Sequence, residues 1–103
     1  TLIMAGLGGI FVETFKDVSF RFSPLTREDA SDMLRELRAF PILSGARGRE
    51  SADLSALEGF IGRLSRLAED FPEIAELDIN PLLVFPDASD FRIIDARIRI
   101  EKR

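Results

Sequence analysis

Asn80, Asp78 and Asp95 are the residues whose type and spacing point most directly to chemistry. They lie in two segments, 74–84 and 91–100, each of which reads as a strand, with Pro86 to Asp90 as a polar turn between them. In the first strand Asp78 and Asn80 occupy even positions, while Leu77, Ile79 and Leu83 occupy odd ones. In the second the parity is reversed: Asp95, Arg97 and Arg99 are odd, and Ile94, Ala96, Ile98 and Ile100 are even. Side chains alternate between the faces of a strand. One hairpin register therefore gathers the apolar residues on one face and the polar residues on the other. With the turn centred between residues 87 and 88, that register sets Asn80 opposite Asp95 and Asp78 opposite Arg97. Opposed residues have Cβ atoms ~5 Å apart, which lets an amide oxygen and a carboxylate share one small divalent ion. Mg²⁺ takes a few protein oxygens together with water and substrate phosphates, so the pair makes half a site and a nucleotide would supply the other half. The same residues also read as cross-strand ion pairs, Asp78 with Arg97 and Asp95 with a neighbouring Arg, on a solvated face where such pairs contribute little.

Three further features bear on chemistry. The stretch GLGG at 6–9 would let backbone approach a phosphate closely. It is neither G-x-G-x-x-G nor a P-loop, no helix is expected after it, and tight turns explain it equally well. Glu13, just beyond the glycines, is placed to reach a metal or a substrate amide, or to stand as an exposed strand residue. Arg47 and Arg49, in the polar loop 44–52, suit a phosphate or an acyl-CoA partner, or simple solvation.

Composition restricts the mechanisms available. The 103 residues include no Cys and no His. There is accordingly no disulfide framework, thiolate metal site, cysteine nucleophile or Ser-His-Asp triad. Carboxylates, amides, hydroxyls, Arg and Lys remain, a palette suited to hard cations and phosphates. A net charge of −4 gives no global basic field for nucleic acid. The nine Phe have no basic stripe beside them and so read as core, not as a base-stacking platform. The apolar run at 2–12 is shorter than the ~20 residues that cross a bilayer, and no positive segment precedes it, so neither a membrane span nor a signal peptide is expected. A cytoplasmic location fits the absence of Cys. The chain starts at Thr1 without an initiator Met and reads as a piece of a longer polypeptide.

The elements that must position these residues follow from periodicity. Ile3 to Ala5, Ile10 to Phe15 and Val18 to Phe22 read as strands, the last with strict alternation. Lys16-Asp17 is a candidate tight turn. Thr26 is a good N-cap with Glu28 and Asp29 in the first turn. Ala30, Met33, Leu34 and Leu37 follow helical spacing, which predicts an amphipathic helix over 27–39 stopped by Pro41. Leu54, Leu57, Phe60 or Ile61, Leu64, Leu67 and Ala68 mark a second amphipathic helix, with Asp53 as a candidate cap and an end near Phe71-Pro72. Strands at both ends with two helices between them predict one α+β domain over 1–103, its helices packed on one sheet face.

GLGGIFVETFKDVSFRFSPL at 6–25, ELDINPLLVF at 76–85 and IIDARI at 93–98 resemble NDP-forming acyl-CoA synthetases of the ADP-forming acetyl-CoA synthetase type. The resemblance covers nearly the whole chain. It corresponds to the C-terminal part of their ATP-grasp domain, a segment also found in acetyltransferase fusions and similar to the succinyl-CoA synthetase β chain. It implies an α+β ATP-grasp C-terminal subdomain with a mostly antiparallel sheet and two helices on one face. It also implies a ligase reaction, acid with CoA and ATP giving acyl-CoA, ADP and phosphate, reversibly, through an acyl phosphate and a phosphohistidine. By the resemblance Asn80 and Asp95 hold Mg²⁺ beneath the ATP phosphates, and Asp78 lines the same site as a catalytic position. Gly8, Gly9 and Glu13 match the family motif and are expected to contact the nucleotide. CoA and the acyl substrate would come through other domains or a subunit of the parent synthetase. Without His, the phosphorylated residue must lie outside this chain, which alone would be inactive. The alternative is a non-catalytic or regulatory ATP-grasp-like interaction module attached to an acetyltransferase.

Overall fold

The alternation of Val18, Phe20 and Phe22 with Ser19 and Arg21 becomes a strand paired with the apolar start of the chain. In the computed structural model, which describes residues 1–8, 13–45 and 51–101, β1 (Leu2–Gly6) and β2 (Val18–Phe22) form an antiparallel ribbon. Its register puts Leu2 opposite Phe22 and Met4 opposite Phe20 on one face, and Ile3 opposite Arg21 and Ala5 opposite Ser19 on the other. The strand expected over Ile10 to Phe15 is not borne out in its described part. Glu13 is helical and Thr14-Phe15 form a turn, while Ile10 to Val12 lie outside the described residues.

Helix α1 (Arg27–Glu36) begins in a full capping box. The Thr26 hydroxyl accepts from the Asp29 N–H, and the Asp29 carboxylate accepts from the Thr26 N–H. Two N–H groups that a helix start would leave open are thereby satisfied. The helix ends before position 39, with Leu37 as its C-cap. Pro41, expected to stop it, instead lies in the first turn of a separate short helix, α2 (Phe40–Leu43). That position tolerates Pro because its missing N–H has no helical partner there. The break between α1 and α2 is held by the buried carboxylate of Asp17, which accepts from the backbone N–H groups of Arg38 and Ala39 at 2.8 and 2.9 Å.

Helix α3 (Leu54–Asp70) starts at Asp53, whose carboxylate accepts from the Ala56 N–H, and ends at Phe71. It lies against α1. Ala30, Met33, Leu34, Leu57 and Ile61 form the buried core, with Ile3, Ala5, Leu25 and Phe40 packed around it. Two buried hydroxyls tie the layers together. Ser19 donates to the Met33 carbonyl, and Ser65 accepts from the Leu25 N–H, both at 2.8 Å.

The C-terminal hairpin is cut in two. β3 (Ile74–Ile79) pairs with β6 (Ala96–Ile100), and β4 (Leu82–Leu83) pairs with β5 (Arg92–Ile93), both antiparallel. The single strand expected over 74–84 is interrupted at Asn80-Pro81, and its partner at Ile94-Asp95. Pro81 has no N–H to give a ladder, although its carbonyl still accepts from Ile94 at 3.1 Å. A short 3₁₀ turn, Ala88–Asp90, joins β4 to β5. The architecture is α+β, with every described strand pairing antiparallel, arranged as three two-stranded ribbons.

Candidate functional site

Asn80 and Asp95 face each other where the hairpin ladder is interrupted. Asp78 pairs with Arg97 and Ile79 with Ala96, and the register continues through a bond from the Asn80 N–H to the Asp95 carbonyl at 3.1 Å. The pairing read from strand parity is the one observed. It holds across the Pro81 break, because β4 and β5 keep the same register. A bulge does occur, but at the far end, between Ile74 and Glu76.

Gly8 joins them. A Cβ built on Gly8 would lie 3.7 Å from the Asn80 side-chain oxygen. Gly8 and the INPL segment, 72 positions apart in sequence, therefore meet, and Gly8 itself puts no side chain against that oxygen. Gly9, Arg47 and Arg49 lie outside the described residues. Glu13 is exposed in its helical turn.

Arginines complete the polar face. Arg97 Nε lies 3.5 Å from Asp95 Oδ2 with both side chains largely in water, and Arg97 also faces Asp78 across the ladder. Arg99 bonds to Glu101 on its own strand and to Glu76 opposite, the latter at 3.3 Å. The Glu101 contact first, and Glu76 second, push the Arg99 guanidinium above its usual pKa. Among the described residues, Arg99 is thus engaged by two carboxylates, whereas Arg97 has one open ion pair. Sequence reasoning treated Arg97 merely as a pairing partner, but its odd-numbered position was the signal that put it beside Asp95. Among the described residues no three His, Cys, Asp or Glu side chains converge as a metal cluster. What the register sets opposite each other is an amide residue and a carboxylate residue, with a bare glycine against the amide oxygen. This donor set is all hard oxygen and fits a cation that takes its remaining ligands from water and phosphate.

A family model described as an ATP-grasp domain matches residues 1–100. The chain is 50% identical over 96 residues to the beta subunit of acetate–CoA ligase (ADP-forming) I of Pyrococcus furiosus, covering 93% of this chain and 40% of that subunit. It is 45% identical over 97 residues to 4-hydroxybutyrate–CoA ligase (ADP-forming) of Nitrosopumilus maritimus, covering 94% of this chain and 14% of the ligase. Among solved structures, the apo form of dinucleotide-forming acetyl-coenzyme A synthetase 1 from Ca. Korarchaeum cryptofilum superposes with a TM-score of 0.90 at 42% identity, over 97% of this chain and 47% of that one. The same synthetase has also been solved with coenzyme A and Mg-AMPPCP, its phosphohistidine segment pointing towards the nucleotide-binding site, again with a TM-score of 0.90. The chain spans less than half the length of each of these proteins.

Proposed function

The chain belongs to the ATP-grasp domain family, and on that premise we propose that it supplies the metal-holding half of the Mg-ATP site in an ADP-forming acyl-CoA ligase. The observation that carries this reading is the Asn80–Asp95 juxtaposition with Gly8 against the Asn80 oxygen. Bound Mg²⁺ would neutralise phosphate charge during phosphoryl transfer. Asn80 and Asp95 orient their oxygens from a paired backbone. Asp78, one strand step away on the same face, supplies further negative charge and keeps Arg97 close to the phosphates. The Asp95–Arg97 pair does not block this role, because an exposed ion pair is weak and yields to a dication. Gly8 is assigned to the nucleotide-facing backbone, with Gly9 and Glu13 as further nucleotide contacts by their match to the family motif.

This chain has no histidine, so the phosphohistidine of the related synthetase has no counterpart within it, and the acid and CoA steps belong to other parts of the enzyme. The 103-residue chain alone gives no ligase turnover and binds Mg-ATP weakly, in the range of ~1 mM or above. Titration with Mg-ATP followed by amide NMR should shift the signals of Gly8, Asn80 and Asp95. Asn80→Ala combined with Asp95→Ala should abolish those shifts while leaving the far-end β1 signals in place. Micromolar binding that survives the double substitution sinks the assignment, and the Asp95–Arg97 pair would then favour a non-catalytic interaction module.

A further inference from the structure

Among the described residues Asp17 is the one buried carboxylate, 7% exposed. It is not a member of the Asn80–Asp95 site. Its Oδ1 accepts from the Arg38 N–H at 2.8 Å and its Oδ2 from the Ala39 N–H at 2.9 Å. Both donors lie in the break between α1 and α2, beyond the C-cap of the first and at the N-cap of the second. A buried carboxylate needs such bonds to offset its lost hydration, and hydrogen bonds to a charged group are the stronger kind. The side chain therefore ties the start of β2 to the helical layer.

The neighbouring backbone is constrained as well. Lys16 adopts a φ of 56°, a left-handed conformation uncommon outside glycine. The Val18 N–H closes a tight turn onto the Lys16 carbonyl at 3.0 Å. Such conformations persist where the surroundings over-determine them, and they gather at functional sites.

From this anchor a short series of contacts leads to the site. Val18 follows Asp17 and pairs with Gly6, the last residue of β1. Two residues beyond Gly6 is Gly8, against the Asn80 side-chain oxygen. Every link lies among the described residues. Of the other buried ties, Ser19 bonds to Met33 from within β2, and Ser65 holds Leu25 beyond the opposite end of that strand. Asp17 is the tie next to the loop that carries the glycines.

We propose that Asp17 is a positioning residue for the nucleotide site. Its carboxylate fixes the loop end of the β1–β2 ribbon against the α1–α2 break and thereby seats Gly8 against Asn80. This rests on reading Gly8 as nucleotide-facing backbone. The role is indirect, exerted through Val18, Gly6 and Gly8.

The test compares Asp17→Asn with Ser65→Ala in the 103-residue chain. An amide has one oxygen, so Asp17→Asn turns an NH₂ group towards one of the two N–H donors. Ser65→Ala also removes a buried acceptor, the one that holds Leu25, but away from the glycine loop. Both should lower the urea midpoint. Only Asp17→Asn should lose the NOE between Gly8 Hα and the Asn80 side-chain NH₂. Only Asp17→Asn should weaken Mg-ATP, by ~5-fold or more at the Gly8 amide, because small misplacements of positioned groups are costly. Binding of Mg²⁺ alone, read at the Asp95 amide, should stay within ~2-fold, since the Asn80–Asp95 pairing is made without Asp17. Lys16→Gly, which frees the turn and keeps the carboxylate, should retain the NOE. The inference is overturned if Asp17→Asn keeps both the NOE and the Mg-ATP affinity, or if Ser65→Ala loses them equally. It is also overturned if Asp17→Asn does not fold where Ser65→Ala does, for the carboxylate then serves stability alone. Loss of the NOE in Lys16→Gly overturns it by assigning the seat to the turn. If the unsubstituted chain binds no Mg-ATP, the site reading fails while the NOE comparison still decides the role of Asp17, so the two readings fail separately.

Discussion

Asp95 holds its place through the backbone, its carbonyl accepting from Asn80, while its carboxylate meets Arg97 in the open. The two roles are separable. An exposed pair is worth about 0.2–1 kcal/mol, so Arg97→Ser should tighten binding of Mg²⁺ alone by roughly 1.4- to 5-fold, as read from the Asp95 amide shift on metal titration. A fall in affinity would mean that Arg97 positions the carboxylate and does not compete for it. At this scale much was legible in advance, because alternation fixes a face once a hairpin register is chosen. The identity of Arg97 as the neighbour of Asp95 was implicit in the same parity. The approach of Gly8 to Asn80 was not, because no spacing rule links residues so far apart in sequence.

The caps decide where the helices begin, and they titrate. Hydrogen bonds from the Thr26 backbone, then from its side chain, hold the Asp29 carboxyl below its ordinary pKa. A depressed folded value means that its stabilising contribution is complete above the unfolded carboxylate value of about 4 and is lost as pH falls through the depressed one. Thr26→Ala should cost about 1 kcal/mol near pH 7. In urea melts the cost of Asp29→Ala, which removes the carboxylate itself, should shrink as pH drops below about 4, and an undiminished cost at pH 2.5 would refute the coupling. Helix existence, face and start were readable from Thr26, Asp53 and the apolar spacing. The end of α1 was not. Leu37 fits the periodicity, but the buried Asp17 carboxylate takes the Arg38 and Ala39 N–H groups, so the chain turns and restarts at Phe40. The strand expected before Phe15 failed in its described part for a related reason: β-forming residue types are a preference that tertiary context overrides.

At the scale of the molecule, the stable portion is the layer of α1, α3 and the β1–β2 ribbon around Met33, whose exposure is 0%. Met33→Ala should cost about 2–5 kcal/mol, a large share of the stability of a domain this size. The urea midpoint should fall with little change in slope. A loss under about 1 kcal/mol would show that the surrounding residues collapse into the space. Away from this layer Ile98 and Ile100 are 57% and 66% exposed, and the molecule is drawn out to 49 × 27 × 23 Å. The apolar face of the β3–β6 ribbon, correctly sorted by parity, is therefore not core in this chain.

What the sequence determined by itself was everything set by local period and residue type: the helix faces, both N-caps, the antiparallel C-terminal register and the opposition of Asn80 to Asp95. Those follow from side-chain geometry repeated every two or 3.6 residues. The tertiary structure alone decided that Gly8 backs onto Asn80 and that Asp17 ends α1. Each depends on contacts between segments distant in sequence, where packing and backbone hydrogen bonding select the outcome and periodicity carries no information.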